Sequence, residues 1–256
     1  MKPVFIFAPY WMGKFSPIHA AQARHTWRLL AVPPAEGSPT ERMGALGKAL
    51  ADEVAAIRAE GNLPVAVVGD CTFSIGVTAG LQRDTPDFTL IWFDAHGDFN
   101  TPQTTPSNFI GGMPLAMLCG RGEQTIVNGA GAARVPEASV ILTDGRDLDP
   151  LEADAVAGSA LVHLPDVGQL VGLELPNRPI YIHFDVDVLR LADMAAVNYP
   201  AEGGPSLQTL ETALAYLAST GRVAAVSVTM WNPELDEDSH AETVVMNLVE
   251  SLVDKL

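Results

Sequence analysis

The chain has 256 residues, 48% of them hydrophobic, and a formal net charge of −16 from 31 acidic against 15 basic side chains. So acidic a chain lacks the basic patch that a nucleic-acid backbone or an anionic membrane requires, which argues against both as partners. Its two cysteines, Cys71 and Cys119, are too few for a disulfide framework. No apolar run reaches the roughly 20 residues of a membrane span, and the start MKPVFIFAPYW lacks the long apolar core and cleavage site of a signal peptide. A cytoplasmic protein is the expectation, built as one domain over residues 1–256, since about 250 residues is a common size for one α/β domain.

Short apolar runs alternate with longer amphipathic stretches. Strands are predicted from Pro3 to Pro9, Leu63 to Asp70, Phe88 to Ala95, Ser139 to Gly145, Ser159 to Pro165, Pro179 to Asp187 and Val223 to Met230. They are rich in Val and Ile and nearly unbroken, as strands covered on both faces are. The clearest helix lies between Ser38, Pro39 and Glu41, which form a start signal, and Gly61, a stop. SLQTLETALAYLAST and SHAETVVMNLVESLVDKL give two more. This alternation implies an α/β fold with a mostly parallel sheet between helical layers. Two Gly/Pro/Thr-rich loops, NTPQTTPSNFIGGMP and NYPAEGGPS, are candidates for carrying function.

Three strands end in chemistry-bearing residues. The run from Leu63 ends in Asp70 and Cys71, that from Phe88 in Asp94, His96 and Asp98, and that from Pro179 in His183, Asp185 and Asp187. Ligands of open α/β sheets bind outside the carboxyl ends of the strands, so the clusters can converge on one crevice. In extended segments Asp94, His96 and Asp98 share one side, as do His183, Asp185 and Asp187. Carboxylates so concentrated raise each other's pKa unless cations neutralise them, and carboxylate bridges plus imidazole suit two divalent first-row metals. A lone Asp after a strand is usually a helix cap or turn former, a reading that three clusters together disfavour.

His183, between Ile182 and Phe184, is open between a core histidine and a member of the cluster. His19, His25, His163 and His240 belong to no cluster and read as surface or core residues. The acidic stretch around Asp236 reads as a solvated loop capping the last helix.

The segments VVGDCTFSIG, FDAHGDFNTPQTT and HFDVDVL resemble the three signature segments of the arginase (ureohydrolase) family, in its order and spacing, and TDGRDLDPLE and WNPELD resemble two more. The likeness implies the family's three-layer α/β/α fold and a hydrolase of guanidine or amidine carbon–nitrogen bonds with two divalent metal ions, manganese first. Carried over, Asp94 and Asp185 bridge the metals, His96 and Asp187 complete one, and Asp98 and Cys71 complete the other. The implied chemistry is a bridging water acidified by two metals, attack on the planar guanidinium carbon, and Asp98 taking the proton and passing it to the leaving amine. His96 and Asp98 are thus the catalytic candidates. Asn100 and Ser107 match residues that bind an α-carboxylate, and Asp147 and Asp149 the segment that holds the α-amino group, so an amino-acid-like substrate is expected. Family likeness also implies a homo-oligomer, a trimer or hexamer.

The departures bear on metal and substrate. Cys71 stands where the family has His; a thiolate is softer and favours zinc or iron(II). If Cys71 instead faces away as a small buried residue, His183 could substitute as ligand. Gly111 in IGGMP replaces a loop His, Met230 replaces the Glu that pairs with the guanidinium, and Arg190 and Leu191 replace a turn-forming Asp-Pro. Cysteine at the first ligand together with the GGM loop is similar to the branch that hydrolyses N-hydroxyarginine, whose hydroxyguanidine is less basic and depends less on that Glu. A catalytically impaired member with a binding or structural role is the competing class, and a related amidino- or formimino-hydrolase with a different side-chain pocket an alternative among enzymes. Cys119, in an apolar segment, reads as core.

Overall fold

The computed structural model describes residues 1–32, 36–229 and 231–256. Its regular elements are β1 (Pro3–Ala8), β2 (Tyr10–Trp11), β3 (Lys14–Phe15), α1 (Pro17–Ala20), β4 (Arg28–Leu29), α2 (Pro39–Ala59), β5 (Leu63–Val68), α3 (Ser74–Leu81), β6 (Thr89–His96), α4 (Pro114–Leu118), α5 (Thr125–Ala130), β7 (Val140–Asp147), α6 (Pro150–Ala157), β8 (Val162–Leu164), β9 (Ile180–Asp185), α7 (Leu207–Ser219), β10 (Val223–Thr229) and α8 (His240–Val253), joined by loops and single 3₁₀ turns. One eight-stranded sheet runs β4-β1-β5-β10-β9-β6-β7-β8, and every pair in it is parallel. Among the described residues, only the small β2-β3 hairpin is antiparallel.

The strands sort their side chains by alternation. On β6, Leu90 and Trp92 enter an apolar cluster with α2, α3, α4 and α5, while Ile91 and Phe93 enter the opposite cluster with α7 and α8. Both faces of the sheet are therefore covered, which explains why the strands read as unbroken apolar runs. Helix α2 starts at a capping box in which Ser38 Oγ accepts from Glu41 N while the Glu41 carboxylate accepts from Ser38 N. It lies tightly on α3 because both helices carry glycine at the crossing; a Cβ at Gly76 would sit 2.6 Å from Gly47 O.

The strand order places the site. β5 and β6 are consecutive in sequence among the main strands, yet β10 and β9 lie between them. The carboxyl ends of β5, β10, β9 and β6 thus open onto one crevice.

Candidate metal centre

All ten residues singled out from the sequence, Cys71, Asp94, His96, Asp98, Asn100, Ser107, Asp147, Asp149, Asp185 and Asp187, line one cavity of about 480 Å³ at these strand ends. Strand alternation accounts for only part of this. β6 ends at His96, and Asp98 lies in the left-handed region at φ 49°; β9 ends at Asp185, and Asp187 sits on a 3₁₀ turn. The expectation that each trio lies along one extended face is therefore corrected: turns, held by side-chain bonds, bring the third residue of each trio round.

The bonds that fix the carboxylates form a closed set. Asp94 accepts from His96 N at 2.7 Å and from Trp92 Nε1 at 3.1 Å, Asp187 from Ala95 N at 3.2 Å, and Asp185 from Asp187 N at 2.9 Å. His96 Nδ1 lies 3.3 Å from Asp94 and 3.1 Å from Asp187. Cys71 does not face away; its Sγ donates to Asp185 Oδ2 at 2.9 Å. Asp70, by contrast, turns back to accept from Met12 N and Thr72 N, and is a turn former. Asp98 Oδ2 is buried with no hydrogen-bond partner among the described residues.

Burial and mutual repulsion set the electrostatics. Burial, then the Asp187 charge, raises the Asp185 pKa to about 7; burial, then Asp94, raises that of Asp187 to about 6. Asp94 and Asp98 are raised by the same two causes. Burial works against charge on His96, but the Asp187 and Asp94 carboxylates override it and lift its pKa to about 12. Burial lowers that of His183 to about 3, so its ring is neutral.

Among the described residues, two groups of side chains offer ligand atoms within 4.8 Å of one another: Asp94, His96 and Asp187 in one, Cys71, Asp94 and His183 in the other. Asp94 belongs to both. Clustered carboxylates with an unpartnered oxygen on Asp98, imidazole nitrogen and a thiol form a donor set that fits divalent cations.

The substrate candidates are less uniform. Asn100 is buried and committed, donating to Asp149 at 2.9 Å and accepting from Thr104 Oγ1 at 2.9 Å. Ser107 is exposed on the loop, and the Asp147 side chain, 65% exposed, reaches to 3.9 Å from His96 Nε2. Both glycine-rich loops reach the cavity, one through Phe109, Gly111 and Gly112, the other through Asn198 and Tyr199. Phe109 and Tyr199 meet across it with centroids 5.1 Å apart. Arg190 stays out, pairing with Asp193 at 2.7 Å. Met230 lies outside the described residues.

Glu152 was not singled out from the sequence although it lines the cavity. It is buried, accepts from Phe99 N at 2.8 Å and Asp149 N at 3.1 Å, and burial raises its pKa to about 6. The available signal was the capping box of α6, with Asp149 as cap and Glu152 three residues on.

The model of the arginase family matches residues 15–254. The chain belongs to the arginase family. Membership in it makes the protein a metal-dependent amidinohydrolase with a binuclear divalent metal centre. The arginase of Bacillus subtilis (strain 168) is 29% identical over 218 residues, covering 80% of this chain and 74% of that protein. The N(omega)-hydroxy-L-arginine amidinohydrolase of Streptomyces lavendulae is 34% identical over 138 residues, 53% of this chain and 49% of its own length. A crystal structure of the Bacillus subtilis arginase superposes with a TM-score of 0.85 at 25% identity, covering 99% of this chain and 98% of that one. Among the described residues, no helix of this arginase-family chain is long and apolar enough to cross a membrane.

Proposed function

We propose that the chain hydrolyses the carbon–nitrogen bond of an amino-acid-like guanidine of low basicity, N-hydroxyarginine in type, at a centre of two divalent ions. The observation that carries this reading is Asp94, whose carboxylate is common to two ligand groups at the floor of one cavity. The ions would supply an acidified water and Lewis-acid stabilisation of developing charge. Asp94, Asp98, Asp185, Asp187, His96 and Cys71 are the proposed ligands.

The remaining roles belong to the chain's own groups. Asp98 Oδ2, buried and unpartnered among the described residues, is proposed to take a proton and return it to the leaving amine. Asn100, Asp149 and Ser107 line the same cavity and are proposed to hold the amino-acid end, with Asp147 nearer the rim. Phe109 and Tyr199, in contact on the cavity lining, are proposed to give the reacting end an apolar wall.

The preference for a weakly basic guanidine rests on what the chain lacks in sequence. Met230 replaces a carboxylate that would pair with a charged guanidinium, and Gly111 replaces an imidazole. The likeness to the Streptomyces lavendulae amidinohydrolase supports the same substrate class. We further propose one domain, a cytoplasmic location and a trimeric or hexameric assembly, the last resting on family likeness and checked by sedimentation.

The test is turnover by manganese- or zinc-loaded protein of N-hydroxyarginine against arginine. Hydroxyurea release with a higher kcat/KM than urea release from arginine is the expected result. No release from either substrate would overturn the reading, and equal use of both would remove the substrate preference.

A further inference from the structure

His183 stands in the middle of the sheet, yet its ring is held like a ligand. It is fully buried on β9, with Nδ1 2.8 Å from Ser227 Oγ on β10 and its face stacked on Trp92 at a centroid distance of 3.7 Å. Ser227 Oγ also meets Tyr181 OH at 2.7 Å, and Tyr181 OH reaches Ser74 O at 3.5 Å. With Tyr181 donating to that carbonyl and Ser227 donating to Tyr181, Ser227 Oγ accepts the Nδ1 proton and leaves a lone pair on Nε2. A ring so fixed through its other nitrogen is the usual arrangement of a metal-bound histidine.

Nε2 itself is buried and has no hydrogen-bond partner among the described residues. His183 belongs to a group with Cys71 and Asp94 whose ligand atoms lie within 4.8 Å of one another, and with Nδ1 engaged by Ser227 it is Nε2 that is free to serve as the ligand atom. Metal–sulfur and metal–nitrogen bonds are about 2.3 and 2.0–2.1 Å, so the ligand atoms of one ion lie within about 4.4 Å of one another, inside that limit. Cys71 follows β5 and His183 lies on β9, so the two reach toward each other from either side of β10.

We propose that Cys71, Asp94 and His183 form one metal position, with the imidazole displaced from the turn after β5 to the neighbouring strand. The proposal deepens the binuclear reading and rests on it. The consequence is an asymmetric centre. A thiolate and an imidazole make this position soft and select zinc or iron(II), whereas Asp94, His96 and Asp187 make a harder position suited to manganese. Asp94 joins the two.

The test uses wild-type protein labelled with 15N-histidine and loaded with 113Cd2+, so that no variant need fold. Nitrogen–cadmium coupling is expected on two imidazoles, His96 and His183; coupling on His96 alone with two ions bound overturns the proposal and leaves the binuclear hydrolase standing. No bound ion at all overturns both. In parallel, His183→Gln should retain one ion per chain and lose zinc affinity at the other position by about 100-fold or more, because even partners of a ligand cost about 10–100-fold when removed. Ser227→Ala, which leaves the ring but frees its orientation, should weaken zinc by about tenfold. Two ions with unchanged zinc affinity in a folded His183→Gln protein would remove His183 from the ligand set.

Discussion

Phe109 occupies the space that any side chain at Gly111 would need: a Cβ built there lies 2.5 Å from Cζ of the ring. Phe109 and Gly111 are thus fitted to each other, and a His at Gly111 cannot leave Phe109 where it is. Gly111→His is expected to expel the ring from its contact with Tyr199 and lower stability by about 0.5–1.5 kcal/mol, the worth of an aromatic pair. In urea denaturation, Phe109→Ala should show the same loss, and the double substitution no further one. A fall of several kcal/mol in the single variant would mean that Gly111 serves some other purpose.

The acidic cluster makes stability depend on pH with a definite sign. Asp185 and Asp187 have folded pKa values of about 7 and about 6 against 3.8 for the free side chain. Raised carboxyl groups contribute stability that is full below pH 3.8 and lost as pH rises through 6 to 7. Divalent ions bind the deprotonated forms and act in the opposite direction. The rise in melting temperature on replacing chelator with Mn2+ or Zn2+ should therefore be larger at pH 8 than at pH 5. An equal or smaller rise at pH 8 would rule out ion binding at these carboxylates.

Asp98→Asn separates the structural cost of the site from its use. Asparagine tolerates the left-handed backbone at this position, φ 49°, and removes one of several crowded charges. With chelator present the variant should melt at a higher temperature than wild type. Loaded with metal, it should lose about 100-fold or more in kcat. Unchanged turnover would end the case for Asp98 as proton acceptor.

Arg146 acts as a strut behind the cavity. Its guanidinium donates to the carbonyls of Asp187, Val188, Ala201 and Glu202 and pairs with Asp144 at 3.0 Å, tying the turn that carries Asp187 to the loop that carries Tyr199. Lysine cannot reproduce that fork. Both Arg146→Lys and Arg146→Ala should cost at least about 2 kcal/mol in denaturant unfolding, since partly buried acceptors lose their donors. Calorimetric titration should show weaker metal binding in both. Full rescue by lysine would mean that charge alone matters.

The main strands and the long helix α2 were readable because burial on both faces and a capping box leave direct marks on sequence. Helix α3 was not: Ser74 to Leu81 is buried all round, so it has no polar face and no helical period to detect. The edge strand Arg28–Leu29 is too short to show alternation. At the site, residue type and spacing marked Asp94, His96 and Asp185, whereas the arrival of Asp98 and Asp187 depends on turns. Phe109 and Tyr199 meet only through tertiary folding, from loops with no local signal that they would pair. The sequence left Cys71 and His183 as alternatives for one role; the structure sets them side by side.

Strand β10 is the last strand among the described residues, yet it is threaded between β5 and β9. A ribosome that has delivered Cys71, Asp94, His96 and even Asp187 has not yet delivered the strand that sets β5 and β9 at their working separation, nor Ser227, which orients His183. Assembly of the proposed centre in this way waits on β10: a chain cut short before Val223 carries every proposed ligand without the strand that brings β5 and β9 together.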